Sequence, residues 1–175
     1  GARLEGADPD AIRAMARRAA QEALRERSSE SERWSLGVLR PLTPMASMKL
    51  REHGVSYGLA EAGYDLRIKQ AIPLHPLRRF AIASTIERFE MPRNLVAIVH
   101  DKSTWARRGL SVFNTVIEPG WRGWLTLELV YHGWKPLSIP AGAGIAQAIF
   151  HEVVEPASYG NGKYQDQPDR PVEAK

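Results

Sequence analysis

Cysteine is absent from this 175-residue sequence. Its absence removes disulfides and thiolate nucleophiles. It also removes the Cys-ligated zinc on which one large class of base deaminases depends. No apolar run is long enough to span a bilayer, and no secretory signal pattern opens the sequence. A membrane partner is therefore not expected, and a cytoplasmic location is. No Walker loop, GxGxxG or HExxH occurs, and no repeat recurs at a solenoid period. The histidines (His53, His75, His100, His132, His151) lack metal-ligand spacing, so no protein-bound metal is expected. Charge is nearly balanced, with 24 Lys and Arg against 20 Asp and Glu. The resulting +4 is too modest to make nucleic acid the expected partner.

The apolar share of 43% is ordinary for a folded domain, and the length allows one real core. Asp8-Pro9 supplies an N-cap and a first-turn proline. Ile12, Met15, Ala16, Ala19, Ala23 and Leu24 follow at helical spacing, opposite Arg13, Arg17, Arg18, Gln21 and Arg25. This predicts a helix from Pro9 to about Arg27. Ser28 to Glu32 reads as linker, and Trp34 to Leu39 as a short strand.

From Ser56 the period changes to two. Tyr64, Leu66 and Ile68 alternate with Asp65, Arg67 and Lys69. Further strands are expected at Phe80–Ile86, Leu95–Val99, Leu110–Val116, Trp124–Val130 and Ile145–Val154. Gly58 to Gly63 reads as loop, Ile72 to Pro76 as a turn or edge, and Pro119-Gly120, His132-Gly133 and Ala141-Gly142 as turns. Many short strands at this rhythm indicate an all-β barrel or sandwich with an added N-terminal helix. From Glu155 the tail is rich in Gly, Pro, Asn, Asp and Gln and is expected to be a mobile arm. The expected divisions are a helical extension over 1–33, a β domain over 34–154 and a flexible lid over 155–175.

Chemistry-bearing residues concentrate between Asp101 and Glu128. Lys102, Ser103 and Thr104, with Arg107 and Arg108 behind them, can gather cations, hydroxyls and backbone N–H groups around phosphate oxygens. The same residues also suit a plain basic surface turn. Leu125, Leu127 and Leu129 share one face of a strand, so Thr126 and Glu128 share the other. Glu128 either faces solvent or is a carboxylate fixed on a rigid strand, where a general base belongs. Glu118 heads a Pro-Gly turn. Trp121 beside it suits the core or the wall of a sugar or base pocket. Asp65 suits an ion pair with Arg67 or with another strand group.

Together these pieces resemble a known superfamily. Ala62-Gly63-Tyr64-Asp65-Leu66-Arg67 is similar to the first motif of the dUTPases and dCTP deaminases. Asp101 to Leu110 (DKSTWARRGL) resembles their RSSLARxGL phosphate motif, with Lys102 for the usual Arg. Glu118 to Gly123 (EPGWRG) resembles the deaminases' DPGWxG, Leu127-Glu128-Leu129 their LEF, and Gly162 to Gln167 (GKYQDQ) their GKYQxQ lid. The likeness is closest to the deaminase branch. It implies a distorted β-barrel or jelly roll of the dUTPase-like type, a homotrimer with active sites between subunits, and Mg²⁺ carried with the nucleotide triphosphate.

The resemblance also implies roles for residues. Glu128 would be the general base, positioned with the water by Ser103 and Arg107. Lys102, Ser103 and Thr104 would hold the triphosphate of a neighbouring subunit's substrate. Trp121 would pack near the deoxyribose. Tyr159, Lys163, Tyr164 and Gln167 would close over the phosphates. Between Ser103 and Glu118 the chain is about two residues shorter than in the deaminases. Asn114 and Thr115 stand where those carry a His-Arg pair beside the pyrimidine. Glu118 replaces the usual Asp. The implied activity is deamination of dCTP to dUTP and ammonia in pyrimidine deoxynucleotide metabolism, with dUTP and dTTP as further candidate ligands. A dUTP diphosphatase or bifunctional enzyme releasing dUMP stands as the alternative. A non-catalytic nucleotide-binding regulatory trimer is the second.

Overall fold

A computed structural model describes residues 40–155 and 158–174, together with Arg18 and Gln21. The chain divides into two compact units, Gly1–Leu39 and Arg40–Lys175. In the first, Arg18 and Gln21 are helical and exposed. The rest of the expected Pro9–Arg27 helix and the Trp34–Leu39 strand lie outside the described residues. No helix among the described residues is long and apolar enough to cross a membrane.

The regular structure of the second unit is nearly all strand. In order it contains β1 (Leu42–Thr43), β2 (Lys49–Glu52), β3 (Val55–Leu59), β4 (Tyr64–Arg67), β5 (Ile72–Leu74), β6 (Phe80–Glu90) and β7 (Leu95–Asp101). A single turn of helix, α1 (Ser103–Ala106), follows. Then come β8 (Leu110–Val112), β9 (Val116–Ile117), β10 (Arg122–Tyr131), β11 (Leu137–Ile139) and β12 (Gly144–Glu152). One sheet runs β1-β6-β10-β8, a second β2-β3-β4-β12-β7-β9, and β5 pairs with β11 apart from both.

Both large sheets feed one core, as period-two patterning requires. Ala81, Ala83 and Phe89 from β6 and Leu125, Leu127 and Leu129 from β10 are buried. So are Tyr64 and Leu66 from β4, Ala97 and Val99 from β7, and Ala146 and Ala148 from β12. Cutting Leu127 to alanine at the centre of this set would cost about 2–5 kcal/mol.

The β6–β10 ladder is irregular at one place. Trp124 pairs with Arg88, but Thr126 pairs with Ser84, so β6 holds two extra residues there. The Thr85 hydroxyl fills the gap: it accepts from the Leu125 N–H at 3.1 Å and donates to the Glu87 carbonyl at 2.7 Å. Glu87, at 0% exposure, is turned into the interior beside the bulge. Arg67 meets it there, with Nε to Oε1 at 2.8 Å and the backbone N–H to Oε2 at 2.9 Å. The Arg67 guanidinium also lies 4.6 Å from the centre of the Tyr57 ring.

Three expectations about elements are corrected. Gly58 and Leu59 belong to β3, and the loop begins only at Ala60. Asp65 does not pair with Arg67; its partner is Lys102. The stretch Leu110–Val116 is not one strand. β8 pairs with β10 in the first sheet, the chain crosses at Phe113–Thr115, and β9 pairs with β7 in the second. The crossing is pinned by Val112 N–H to Asp101 Oδ1 at 2.6 Å, Phe113 N–H to the Glu128 carbonyl at 3.0 Å, and Val99 N–H to the Thr115 carbonyl at 2.9 Å. An apolar run with a polar centre reads as one strand in sequence, because period alone does not reveal a change of sheet.

Candidate active site

The change of sheet opens a cavity of about 680 Å³. One wall is the β9 side, with Thr115, Val116, Ile117 and Glu118. The floor is β10, with Leu125, Thr126 and Glu128, and Phe80, Ala81 and Ile82 of β6 continue it. Trp121, Tyr159, Tyr164 and Gln167 form the opposite rim. The size suits a nucleotide.

Glu128 is half-buried on the longest ladder of the molecule, which fixes its backbone on both sides. Burial among apolar side chains pushes its carboxyl above the ordinary range, partly opposed by backbone and Thr115 hydrogen bonds. The Thr115 hydroxyl lies 3.5 Å from Oε2. A carboxylate poised in this way takes up a proton more readily than a solvated one.

The tail supplies the rim by packing along its own barrel. Tyr159 N–H donates to the Pro119 carbonyl at 2.7 Å. Trp121 Nε1 donates to the Tyr164 carbonyl at 2.7 Å, and its ring leans on Phe89 with centres 6.0 Å apart. Trp121 is thus both core and cavity wall. Arg122 Nε and Nη2 meet both carboxylate oxygens of Asp166, at 3.0 and 3.1 Å. Gln167 forms a parallel bridge to Gly123. Gly123 has φ +137, and a Cβ there would stand 2.5 Å from the Gln167 nitrogen, so only glycine admits this docking. The Gln167 Oε1 accepts from the Thr126 hydroxyl at 3.1 Å.

The basic cluster lies elsewhere on the chain. Lys102 turns inward to an ion pair with Asp65, which also accepts from Ser56 Oγ at 3.1 Å and Gln147 Nε2 at 3.3 Å. Trp105, 2% exposed, anchors α1 through Nε1 to the Gly144 carbonyl at 2.6 Å. With those two side chains drawn inward, Ser103 and Arg107 are exposed and Thr104 half-buried.

Of the residues singled out in sequence, the cavity gathers Glu128, Thr115, Glu118, Trp121, Tyr159, Tyr164 and Gln167. Lys102, Ser103, Thr104 and Arg107 do not line it. Neither do Asn114, which is exposed, and Lys163, whose Nζ lies 5.2 Å from the centre of the Tyr164 ring. Sequence reasoning left Thr126 off the site, although it sits two residues from Glu128 on the same strand face. It also missed Phe80, Ile82 and the Val172–Ala174 stretch, which also line the cavity and carry no local signal. Among the described residues no group of three His, Cys, Asp or Glu could hold a metal ion.

Residues 66–153 match the family model described as dCTP deaminase-like. The dCTP deaminase of Roseiflexus castenholzii is 34% identical over 173 residues, covering 79% of this chain and 94% of that protein. The dCTP deaminase of Campylobacter concisus is 35% identical over 158 residues, covering 72% and 85%. Among solved structures, a dUTPase from phage phi11 of S. aureus superposes with a TM-score of 0.51 at 18% identity, covering 67% of this chain and 91% of that one. The EIAV dUTPase gives 0.50 at 21% identity, covering 70% and 98%. At such identities these structures speak for the fold alone, a distorted dUTPase-like barrel.

Proposed function

We infer the chemistry from one starting point: this chain belongs to the dCTP deaminase family. It is an enzyme of pyrimidine deoxynucleotide metabolism that hydrolyses the C4 amino group of dCTP, giving dUTP and ammonia.

The observation that carries the assignment of roles is Glu128, a carboxylate on a rigid strand, half-buried in a nucleotide-sized cavity and held above the ordinary range. Glu128 takes a proton from water, and the hydroxide adds to C4. The proton from water passes to the departing amino group, the hydroxyl proton at C4 is relayed to ring N3, the C4–N bond breaks, and ammonia leaves with the C4 carbonyl formed. The Thr115 hydroxyl steadies the carboxylate. Trp121 packs on the sugar, where a 2′-hydroxyl would crowd the indole. Tyr159, Tyr164 and Gln167 close the rim and exclude water.

Ser103 and Arg107 point out of their own chain, and so does Thr104 in part. A homotrimer would bring this cradle to the cavity of the neighbouring copy, where Ser103 and Arg107 orient the water and stabilise developing charge. Lys102, held by Asp65, fixes the cradle's inner edge and adds positive potential toward the phosphates. Mg²⁺ bound by the triphosphate's own oxygens would lower its charge, and that needs no protein metal site. Asn114, next to Thr115 in the crossing, and Lys163, next to Tyr164 in the tail, would contact the incoming nucleotide from outside the cavity lining. The three-residue crossing Phe113–Thr115, short as in dUTPases, favours dUTP hydrolysis to dUMP as the second reading, whereas Glu118 in place of the usual Asp counts against it.

Incubating the protein with dCTP, dUTP and Mg²⁺, then resolving ammonia, pyrophosphate and nucleotides, tests both. Ammonia without pyrophosphate is expected. Pyrophosphate from either nucleotide would move the assignment to the second reading. Binding without either product would leave a regulatory trimer.

A further inference from the structure

Past Gln167 the chain does not leave the barrel. It turns at Arg170, whose N–H donates to the Pro168 carbonyl at 2.7 Å, and returns to the cavity. There the Val172 N–H donates to the Thr126 hydroxyl at 3.0 Å. That hydroxyl also donates to Gln167 Oε1, so both ends of the loop 167–172 meet on one oxygen atom. On the outer side Asp169 pairs with Lys69. Val172, Glu173 and Ala174 line the same cavity as Glu128.

We propose that residues 168–174 are an autoinhibitory strap that lies against the Thr126 side of the nucleotide cavity of its own chain and competes with dCTP for that floor. The proposal rests on the reading of this cavity as the dCTP site.

Three observations carry it. First, position: Thr126 and Glu128 are neighbours on one strand face, about 7 Å apart along the strand. A pyrimidine beside Glu128 must therefore share the floor with Val172. Second, chemistry: Val172 and Ala174 match the apolar lining, and the one polar group of the floor beside Glu128, the Thr126 hydroxyl, is already used in both directions. Third, charge: Glu173 joins Glu118 and Glu128 around a single cavity. A triphosphate arriving there meets a third carboxylate, so strap and nucleotide repel each other across the cavity. Pro168 and Pro171 reduce the freedom the strap loses on docking.

The strap acts as a tethered competitor. If it is docked about ten times more often than free, it weakens apparent nucleotide affinity by the same factor. With an effective concentration in the millimolar range, a free peptide of the same sequence would bind with Kd of about 0.1 mM.

The test compares the full chain with a chain cut after Pro168, which keeps Gln167 and the rim. Calorimetric dCTP affinity should tighten about threefold to tenfold on cutting. Val172→Pro, which removes the donated N–H and fixes the backbone there but leaves the rest of the strap, should give a smaller gain in the same direction. A labelled Pro168–Ala174 peptide should bind the cut protein but not the full chain, and dCTP should displace it. Unchanged or weaker dCTP affinity after cutting, or no peptide binding, overturns the strap. Peptide binding displaced by dCTP, with no ammonia released by any form, leaves the strap standing and removes the deaminase reading instead.

Discussion

Glu87 on β6 and Glu128 on β10 belong to the same four-stranded sheet and are treated in opposite ways. Glu87 is wholly buried, and Arg67 meets both of its oxygens with a guanidinium and a backbone N–H. Its bonding capacity is spent inside the fold. Glu128 is half-buried, faces a cavity, and has the Thr115 hydroxyl at the outer limit of hydrogen bonding. A carboxylate that the fold satisfies serves the fold. One left short of partners in a space large enough for a ligand is available for reaction, and the residue type is the same in both places.

The most severe test of that contrast is Glu128→Gln. Ammonia release should fall by at least about 100-fold, while dCTP binding survives. Normal turnover in this variant would falsify the assignment of the base. Next in size is Arg67→Ala, which strands Glu87 without a counter-charge. A loss of about 3–5 kcal/mol is expected from denaturant melts, without a specific defect per folded molecule. An unchanged midpoint would mean that Glu87 does not depend on its partner.

Titration separates the two sites further. Because burial raises the Glu128 carboxyl from the usual 4.5, the folded state holds its proton in a window where the unfolded chain has released it. Rising pH through that window therefore lowers stability. Glu128→Gln should be more stable than the parent above the window, and the gap should close in acid. Thr115→Val removes a contact that lowers the carboxyl, so the acid limb of the kcat profile should move to higher pH. A limb that stays in place would show that Thr115 does not touch the working carboxylate. The smallest effect is expected at Arg122→Ala. Its pair with Asp166 is exposed and worth about 0–1 kcal/mol, so only a slight rise in KM is foreseen. A large change in kcat there would place the rim much closer to the reacting atoms.

The strands were readable in sequence where one face is buried and the other is not. Tyr64 to Ile68 and Trp124 to Val130 show the alternation directly, and so Glu128 could be placed on a face opposite three leucines. The crossing at Phe113–Thr115 was not readable, since its cause is a bond from Val112 to Asp101, eleven residues away. Nor was the inward turn of Lys102. A basic residue in a hydroxyl-rich turn looks exposed until a buried carboxylate, here Asp65, comes from another strand. The tail shows the same limit. Its Gly, Pro and Asn content describes a chain with little local preference, whereas its place is set by tertiary bonds from Trp121, Gly123 and Thr126.

The missing side chain at Gly123 sets how easily the mouth of this enzyme could be opened for good. A single-codon change to alanine would put a methyl group where the Gln167 backbone now rests, unseating rim and strap together while Glu128 kept its strand. Closure and catalysis sit on the same β-strand, yet they could be inherited separately.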